Sequence, residues 1–273
     1  MRNKNGLFLS FTALACAVIM LFTSAVRTSA ASDTDAHNWY VMRTKDHTQP
    51  RLEADMSFIE AHGGYYADKT HSDKDADDKV IYLTFDAGYE NGNVERIVDT
   101  LKEKNATGAF FILENLIARN PELVLRMHDE GHLVCNHTCR HRDMSAVCEL
   151  NEFASELDAL ASRYRELTGD EMPKYYRPPE GRFSERNLKF CEQLGYKTIF
   201  WSFAYADWDN NKQPNPENAL KLILDNIHNG AVLLLHPTSK TNADILGTLI
   251  DTLRQDGYRF GSLDELTVCI QPR

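Results

Sequence analysis

The sequence predicts an α/β fold whose parallel sheet curls into a closed or nearly closed β/α barrel. Three observations predict it. From Val80 onward, short apolar runs alternate with amphipathic stretches, the pattern of strand–helix–strand units with parallel strands. About seven such units fit into roughly 195 residues, barrel size for one domain, although periodicity does not separate a barrel from an open sheet. Polar residues suited to chemistry fall just after the strands, where parallel α/β proteins carry their sites.

The chain opens with a segment to be set aside before fold reasoning. Arg2 and Lys4 precede an apolar run over residues 7–26, and Thr28-Ser29-Ala30-Ala31 offers small residues for cleavage. Residues 1–30 therefore read as a secretory signal peptide, and the protein as exported. An uncleaved membrane anchor is the other reading, because the run nearly reaches the ~20 residues of a span. Once the signal is cleaved, no other segment is apolar and long enough to be a stable span. Cys16 lies inside the run and is followed by further apolar residues, which argues against a lipid anchor there.

Residues 31–78 read as an N-terminal extension with a charged linker. Trp39 and Tyr40 are candidate anchors onto the main body. Leu52, Met56, Phe58 and Ile59 lie near helical spacing and stop at Gly63-Gly64, so a short helix is expected over 51–62. Residues 70–79 are charged and aperiodic, a loop before the main domain over 79–273.

The first strand of that domain, 80–85, consists of residues that favour a buried pleated chain. It is expected to break at Asp86, with Gly88 just beyond. Val94, Ile97, Val98 and Leu101 mark one face of a helix over 93–104. A strand is expected over 109–113 and a helix over 121–130, begun by Pro121 and stopped at Gly131. Strands over 132–135, 174–176, 198–201, 231–235 and 258–260 follow. Helices over 149–167, 184–194, 216–227 and 242–254 separate them, with Ser184 as a cap and Gly169 and Gly195 as stops.

Composition excludes some partners. The chain carries 40 acidic against 30 basic residues, a net charge of −10, and the first 30 residues hold three bases and no acid. What remains is more acidic still, which argues against a nucleic-acid partner. Of six cysteines, Cys135, Cys139, Cys148, Cys191 and Cys269 follow the signal, an odd number. Cys135 and Cys139 are four apart, but no second pair has metal spacing, so buried or disulfide cysteines are the favoured reading.

Five polar clusters follow five strands: Asp86; 136–141 with His137 and His141; Arg177 in an Arg-Pro-Pro run; Asp207-Trp208; and His236 after four apolar residues. In a parallel barrel these ends share one face. His137 and His141 are four apart, so a helical segment would turn both imidazoles to one metal; a pair of surface or capping histidines is the alternative. His236 is a structural core histidine or a proton donor and acceptor near neutral pH. Prolines would present Arg177 rigidly to a carboxylate, and Asp207 would orient a histidine or merely make a turn.

These clusters together resemble the polysaccharide deacetylase family, carbohydrate esterase family 4. Thr84-Phe85-Asp86-Ala87-Gly88 resembles its first motif and His137-Thr138-Cys139-Arg140-His141 its second. Arg177-Pro178-Pro179-Glu180-Gly181, Asp207-Trp208 and Leu234-Leu235-His236 resemble the third to fifth, in family order. The runs around Asp86 and from Trp201 to Trp208 are most similar to the delta-lactam-forming branch, which deacetylates N-acetylmuramic acid of peptidoglycan during spore cortex synthesis.

The resemblance implies a distorted barrel and a metal-assisted hydrolase. His137 and His141 would hold a divalent metal, with zinc the expected ion. Asp86 would be the general base and Arg177 its partner. His236 would be the general acid, with Asp207 behind it. Trp208 and Leu234 would wall the acetyl pocket, and a backbone N–H near Glu180 would hold the oxyanion. The partner would be peptidoglycan glycan strands, in the cell wall or the space around a forespore.

Ala87 departs from the family, which usually places a second aspartate there as a metal ligand. A weaker metal site is therefore expected, or one completed by Asp143 or Glu90. Deacetylation of N-acetylglucosamine or chitin-type oligomers is the nearest alternative activity. A catalytically inactive wall-binding protein is the alternative of another class. Retention of both an acid and a base argues against it.

Overall fold

The computed structural model describes residues 32–268. The expected signal segment, Cys16 and Cys269 lie outside them. Among the described residues the chain runs through β1 (His37–Asn38), α1 (Phe58–Ala61), β2 (Gly64–Tyr65), β3 (Lys79–Ala87), α2 (Asn93–Glu103) and β4 (Ala109–Ile112). It continues through α3 (Glu114–Arg119), α4 (Pro121–Asp129), β5 (Leu133–Asn136), α5 (Leu150–Thr168), β6 (Tyr175–Tyr176), β7 (Arg182–Phe183) and α6 (Glu185–Gln193). It ends with β8 (Lys197–Ile199), α7 (Pro216–Asn226), β9 (Ala231–Leu235), α8 (Lys240–Gln255), β10 (Tyr258–Phe260) and α9 (Leu263–Val268).

Eight strands form one sheet in the order β10-β3-β4-β5-β6-β8-β2, with β9 also paired to β3, and every pairing is parallel. The ring closes through single bridges. Ala67, just past β2, bridges Ala231 of β9, and Phe203, past β8, bridges Leu233. The barrel is thus distorted, with helices outside, as expected. The segment before residue 79 is not a loose appendage, because β2 fills the gap between β8 and β9.

β3 positions the site. Ile81, Leu83, Phe85 and Ala87 face the helices and pack with Val98 and Leu101 of α2 and Leu249 and Leu253 of α8. Val80 and Tyr82 face the interior with Phe111, Cys135 and Val232. The two-residue period carries Thr84 and Asp86 onto that inner face at the strand's C-terminal end. The expected break at Asp86 is corrected: Asp86 and Ala87 still pair with Phe111 and Ile112 of β4. The carboxylate therefore stands on the sheet and not in a turn.

Other departures have local causes. α3 and α9, six residues each, are too short for a helical period to show in the sequence. The helix expected over 51–62 is a 3-10 turn over Ala54–Met56 followed by the four-residue α1. Of the two expected anchors only Trp39 is one. Its ring stacks on Phe200 with centroids 4.3 Å apart, and its indole N–H donates to the Trp201 carbonyl at 2.9 Å. Tyr40 is 68% exposed. Cys135, Cys139, Cys148 and Cys191 are all free thiols, with Cys135 and Cys191 buried, as hydrophobic cysteines are.

Candidate active site

The five clusters meet in one pocket of about 640 Å³, whose walls include Asp86, His137, His141, Glu180, Trp201, Trp208, Leu234 and His236. Arg177 and Asp207 lie beneath it, both buried.

Arg177, just after β6, is fully buried and makes four hydrogen bonds. Its Nη1 donates to Asp86 Oδ1 at 2.7 Å, and Nη2 to Thr84 Oγ1 at 2.9 Å and to the Phe200 carbonyl at 3.2 Å. Nε donates to the Ile199 carbonyl at 3.0 Å, and the guanidinium lies 4.1 Å from the centre of the Phe111 ring. A planar fork with five N–H groups is the one cation able to meet so many fixed acceptors. Burial disfavours the Asp86 carboxylate, but Arg177, then His137 and His236, outweigh it and hold its pKa below the usual range. Asp86 is therefore ionised at neutral pH.

His137 and His141 are not on a helix, contrary to the geometry their spacing suggested. They sit on a loop after β5, with Thr138 (φ 70°) and His141 (φ 56°) in the left-handed region. Such backbone costs of order 1–3 kcal/mol per residue and persists only where neighbours impose it. Here Asn136 Oδ1 accepts from the Thr138 N–H and Thr138 Oγ1 accepts from the His141 N–H, each at 2.9 Å. The turn brings the two imidazoles to 5.1 Å between ring centres. His137 Nδ1 bonds the Arg177 carbonyl at 2.8 Å, which leaves the Nε2 lone pair free, 3.6 Å from Asp86 Oδ2. Burial pushes the His137 pKa down to about 4, so the ring is neutral.

That donor set fits a divalent cation. One imidazole has its tautomer fixed by a carbonyl on the far nitrogen, the usual support for a ligand histidine, and a second stands beside it. No group of three His, Cys, Asp or Glu side chains gathers there among the described residues. Ala87 does not line the pocket, and its methyl packs in the helix-side core. Asp143 accepts from Ser145 and pairs with Arg182 at 3.2 Å. Glu90 accepts from the N–H groups of Gly92 and Glu95. Neither carboxylate joins the two histidines, so water or substrate oxygens would complete the coordination.

On the opposite wall, Asp207 Oδ1 bonds His236 Nδ1 at 2.7 Å and Oδ2 accepts the His236 backbone N–H at 2.9 Å. Burial alone would lower the His236 pKa, but the hydrogen bond and charge of Asp207 raise it above its ordinary 6.5. With Nδ1 committed, Nε2 is the nitrogen left for proton transfer. Trp208 is 61% exposed and meets the His236 ring edge-on at 6.2 Å, so it rims the mouth. Leu234 is a buried wall, and Glu180 is exposed with φ 57°.

Four residues have a supporting role that the sequence did not assign to them. Asn242 Nδ2 donates to Asp207 Oδ2 at 2.6 Å, and Tyr205 holds Asn242 in turn. Thr84 receives Arg177, and Asn136 braces the histidine turn. Thr84, Asn136 and Tyr205 lie inside sequence runs already singled out, but Asn242, three residues after the capping Ser239, carries no local signal of its role.

Comparison with known proteins places this arrangement in context. A model of the polysaccharide deacetylase family matches residues 73–199. An uncharacterized 30.6 kDa protein of Geobacillus stearothermophilus is 40% identical, over 94% of this chain and 95% of its own. The peptidoglycan-N-acetylmuramic acid deacetylase PdaA of Bacillus subtilis is 36% identical, over 93% of this chain and 94% of its own. The solved structure of PdaA, a family 4 carbohydrate esterase, superposes with a TM-score of 0.80 at 37% identity, covering 86% of this chain and 98% of that one.

Proposed function

We propose a function from one premise: the chain belongs to the polysaccharide deacetylase family, the carbohydrate esterases of family 4. It is a hydrolase that removes N-acetyl groups from peptidoglycan amino sugars, and its substrate is N-acetylmuramic acid, as for the relative it matches over nearly its whole length. The observation that carries the reading is the pairing, in one pocket, of an ionised carboxylate held by Arg177 with a histidine whose pKa is raised by Asp207. Such a divergent pair is what an acid and a base working together need, and a module that only bound glycan would need neither.

Asp86 takes the proton of the attacking water. Arg177 keeps that carboxylate ionised and fixed, so a modest base is correctly placed rather than strong. His236 Nε2 gives its proton to the departing amine nitrogen as the C–N bond breaks, and Asp207 stabilises the imidazolium beforehand. The Glu180 backbone N–H would hold the developing oxyanion, because those of Gly181 and Arg182 are given to the Pro178 and Pro179 carbonyls. Leu234 walls the side where the acetyl methyl sits. His137 and His141 would hold a divalent ion, with zinc the expected metal, which would supply Lewis acidity toward the acetamide carbonyl and water.

With only two protein ligands that ion would bind weakly. Calorimetric titration with zinc is expected to give a micromolar or weaker Kd, abolished in His137→Ala; nanomolar binding would contradict the assignment. The raised His236 pKa has its own consequence. The imidazolium is present below that pKa and lost as pH rises through it, so kcat falls on the alkaline side. In Asp207→Asn the raising charge is gone, and the alkaline limb should move toward lower pH, with kcat at pH 8 down roughly tenfold or more. An unmoved limb in the pH–rate profile would remove His236 from the role of acid.

The setting we propose is extracytoplasmic, in delta-lactam formation of the spore cortex. A muramic lactam needs a free amine on the sugar, and deacetylation supplies it. Among the described residues no helix is long and apolar enough to cross a membrane. Incubation with purified peptidoglycan, followed by assay of released acetate, tests the activity directly.

A further inference from the structure

A second cavity, of about 420 Å³, opens beside the active-site pocket, and the two share Trp201 and Ala204 as walls. Its remaining walls are Ser202 and one stretch of the N-terminal segment: Trp39, Tyr40, Val41 and Arg43. That stretch is pinned to the rim of the site. β1 pairs antiparallel with β7, directly after Glu180 and Gly181, and the Trp39 N–H donates to the Gly181 carbonyl at 2.7 Å. The approach is close enough to demand glycine at 181, where φ is +66° and a Cβ would lie 2.8 Å from the Trp201 ring and 3.0 Å from Trp39 Cβ.

Pinning Trp39 leaves its neighbours turned outward. Tyr40 is a large ring, mostly in solvent. Arg43 is the one charged residue among those lining the second cavity. Its guanidinium lies 4.7 Å from the centre of the Phe203 ring and donates to the Ala204 carbonyl, so its fork is held in place. Among the described residues no carboxylate pairs with it; Arg51, Arg119, Arg140 and Arg254 lack an acidic partner as well, but none of those four lines this cavity or the active-site pocket. In so acidic a chain, a positioned arginine without an acid, on a cavity that shares walls with the catalytic pocket, marks a place for an external anion.

We propose that Tyr40 and Arg43 form a glycan subsite adjoining the catalytic pocket, with Tyr40 stacking on a neighbouring sugar ring and Arg43 binding a carboxylate carried by the strand. The inference rests on the peptidoglycan-deacetylase reading and deepens it, since neutral chitin-type oligomers have no such group. The carboxylate has two sources in the wall: the lactyl group of peptide-free muramic acid, or a stem peptide.

The test is steady-state acetate release on three substrates of matched length: peptide-free glycan strands, strands bearing stem peptides, and peptide-free strands whose lactyl carboxyls have been converted to neutral amides. Arg43→Gln is expected to raise KM about tenfold on a carboxylate-bearing strand, leaving kcat, and KM on the neutral strand, unaffected. Arg43→Lys should restore part of the affinity. Tyr40→Ala should raise KM on all three, and Tyr40→Phe on none. A KM effect confined to peptide-free strands assigns the lactyl carboxylate, and one confined to peptide-bearing strands assigns the stem. Unchanged KM in both Arg43→Gln and Tyr40→Ala, with active parent enzyme, overturns the subsite. If the parent releases no acetate, the deacetylase reading fails separately. Calorimetric glycan affinity then decides the subsite, and equal Kd for parent and Arg43→Gln overturns it.

Discussion

Replacing Asp86 with asparagine is expected to lower kcat by about a thousandfold, the usual worth of a positioned general base. The substitution is nearly isosteric, and its side-chain oxygen still accepts from Arg177 Nη1, which now bonds Oδ1 at 2.7 Å. Thermal stability should fall too, because the buried Arg177 charge loses its counter-charge, but KM should stay within a few-fold, because the property lost to catalysis is proton affinity in the transition state. This split between kcat and KM distinguishes a base from a binding residue. If kcat fell less than tenfold, the water's proton would be going elsewhere. His137 Nε2, 3.6 Å from Asp86 Oδ2, would then be the group to examine.

The second large effect is structural. Arg177→Ala should destabilise the fold by about 3–5 kcal/mol, the cost of removing one member of a buried ion pair and stranding the other. For a domain of this size that is a fall in Tm of roughly 10 °C. Three acceptors besides Asp86 lose their donor at once: Thr84 Oγ1 and the carbonyls of Ile199 and Phe200. Activity should fall at least as far as in Asp86→Asn, since the base loses both its position and the charge that keeps it ionised. Arg177→Lys should recover part of the stability but little activity, because a point charge cannot meet four acceptors. Differential scanning calorimetry reads the stability change, and a shift under 3 °C would mean that the network contributes far less than its burial implies.

The parts of the fold legible in the sequence are those where one periodicity runs long enough to outvote its neighbours. β9 falls at its expected bounds because an unbroken apolar run defines it, and α2 within one residue because a clean apolar stripe does. β10 also falls at its expected bounds, on the alternation Tyr258-Arg259-Phe260. Helices of six residues or fewer, such as α1, α3 and α9, carry too little of the longer helical period. β2 was hidden for another reason: two residues become a strand only because β8 lies beside them. At the site, the residues that point into the pocket were visible as polar interruptions at strand ends. Those that complete their hydrogen bonds were not. Asn242 lies 35 positions from the Asp207 it serves, and nothing local to either residue announces the pairing. The His137–His141 spacing was informative for the wrong geometric reason, since a strained loop, not a helix face, brings the rings together.

The most direct test of the central claim is mass spectrometry of wall glycan digested after incubation with the purified protein, beside an Asp86→Asn control. The structure and its chemistry lead to loss of one acetyl group from muramic acid residues, with acetate released in equal amount, and none above background in the control. Acetyl loss confined to glucosamine would contradict the substrate assignment. Glycan left intact by the parent protein, identical to the control, would contradict the catalytic reading altogether.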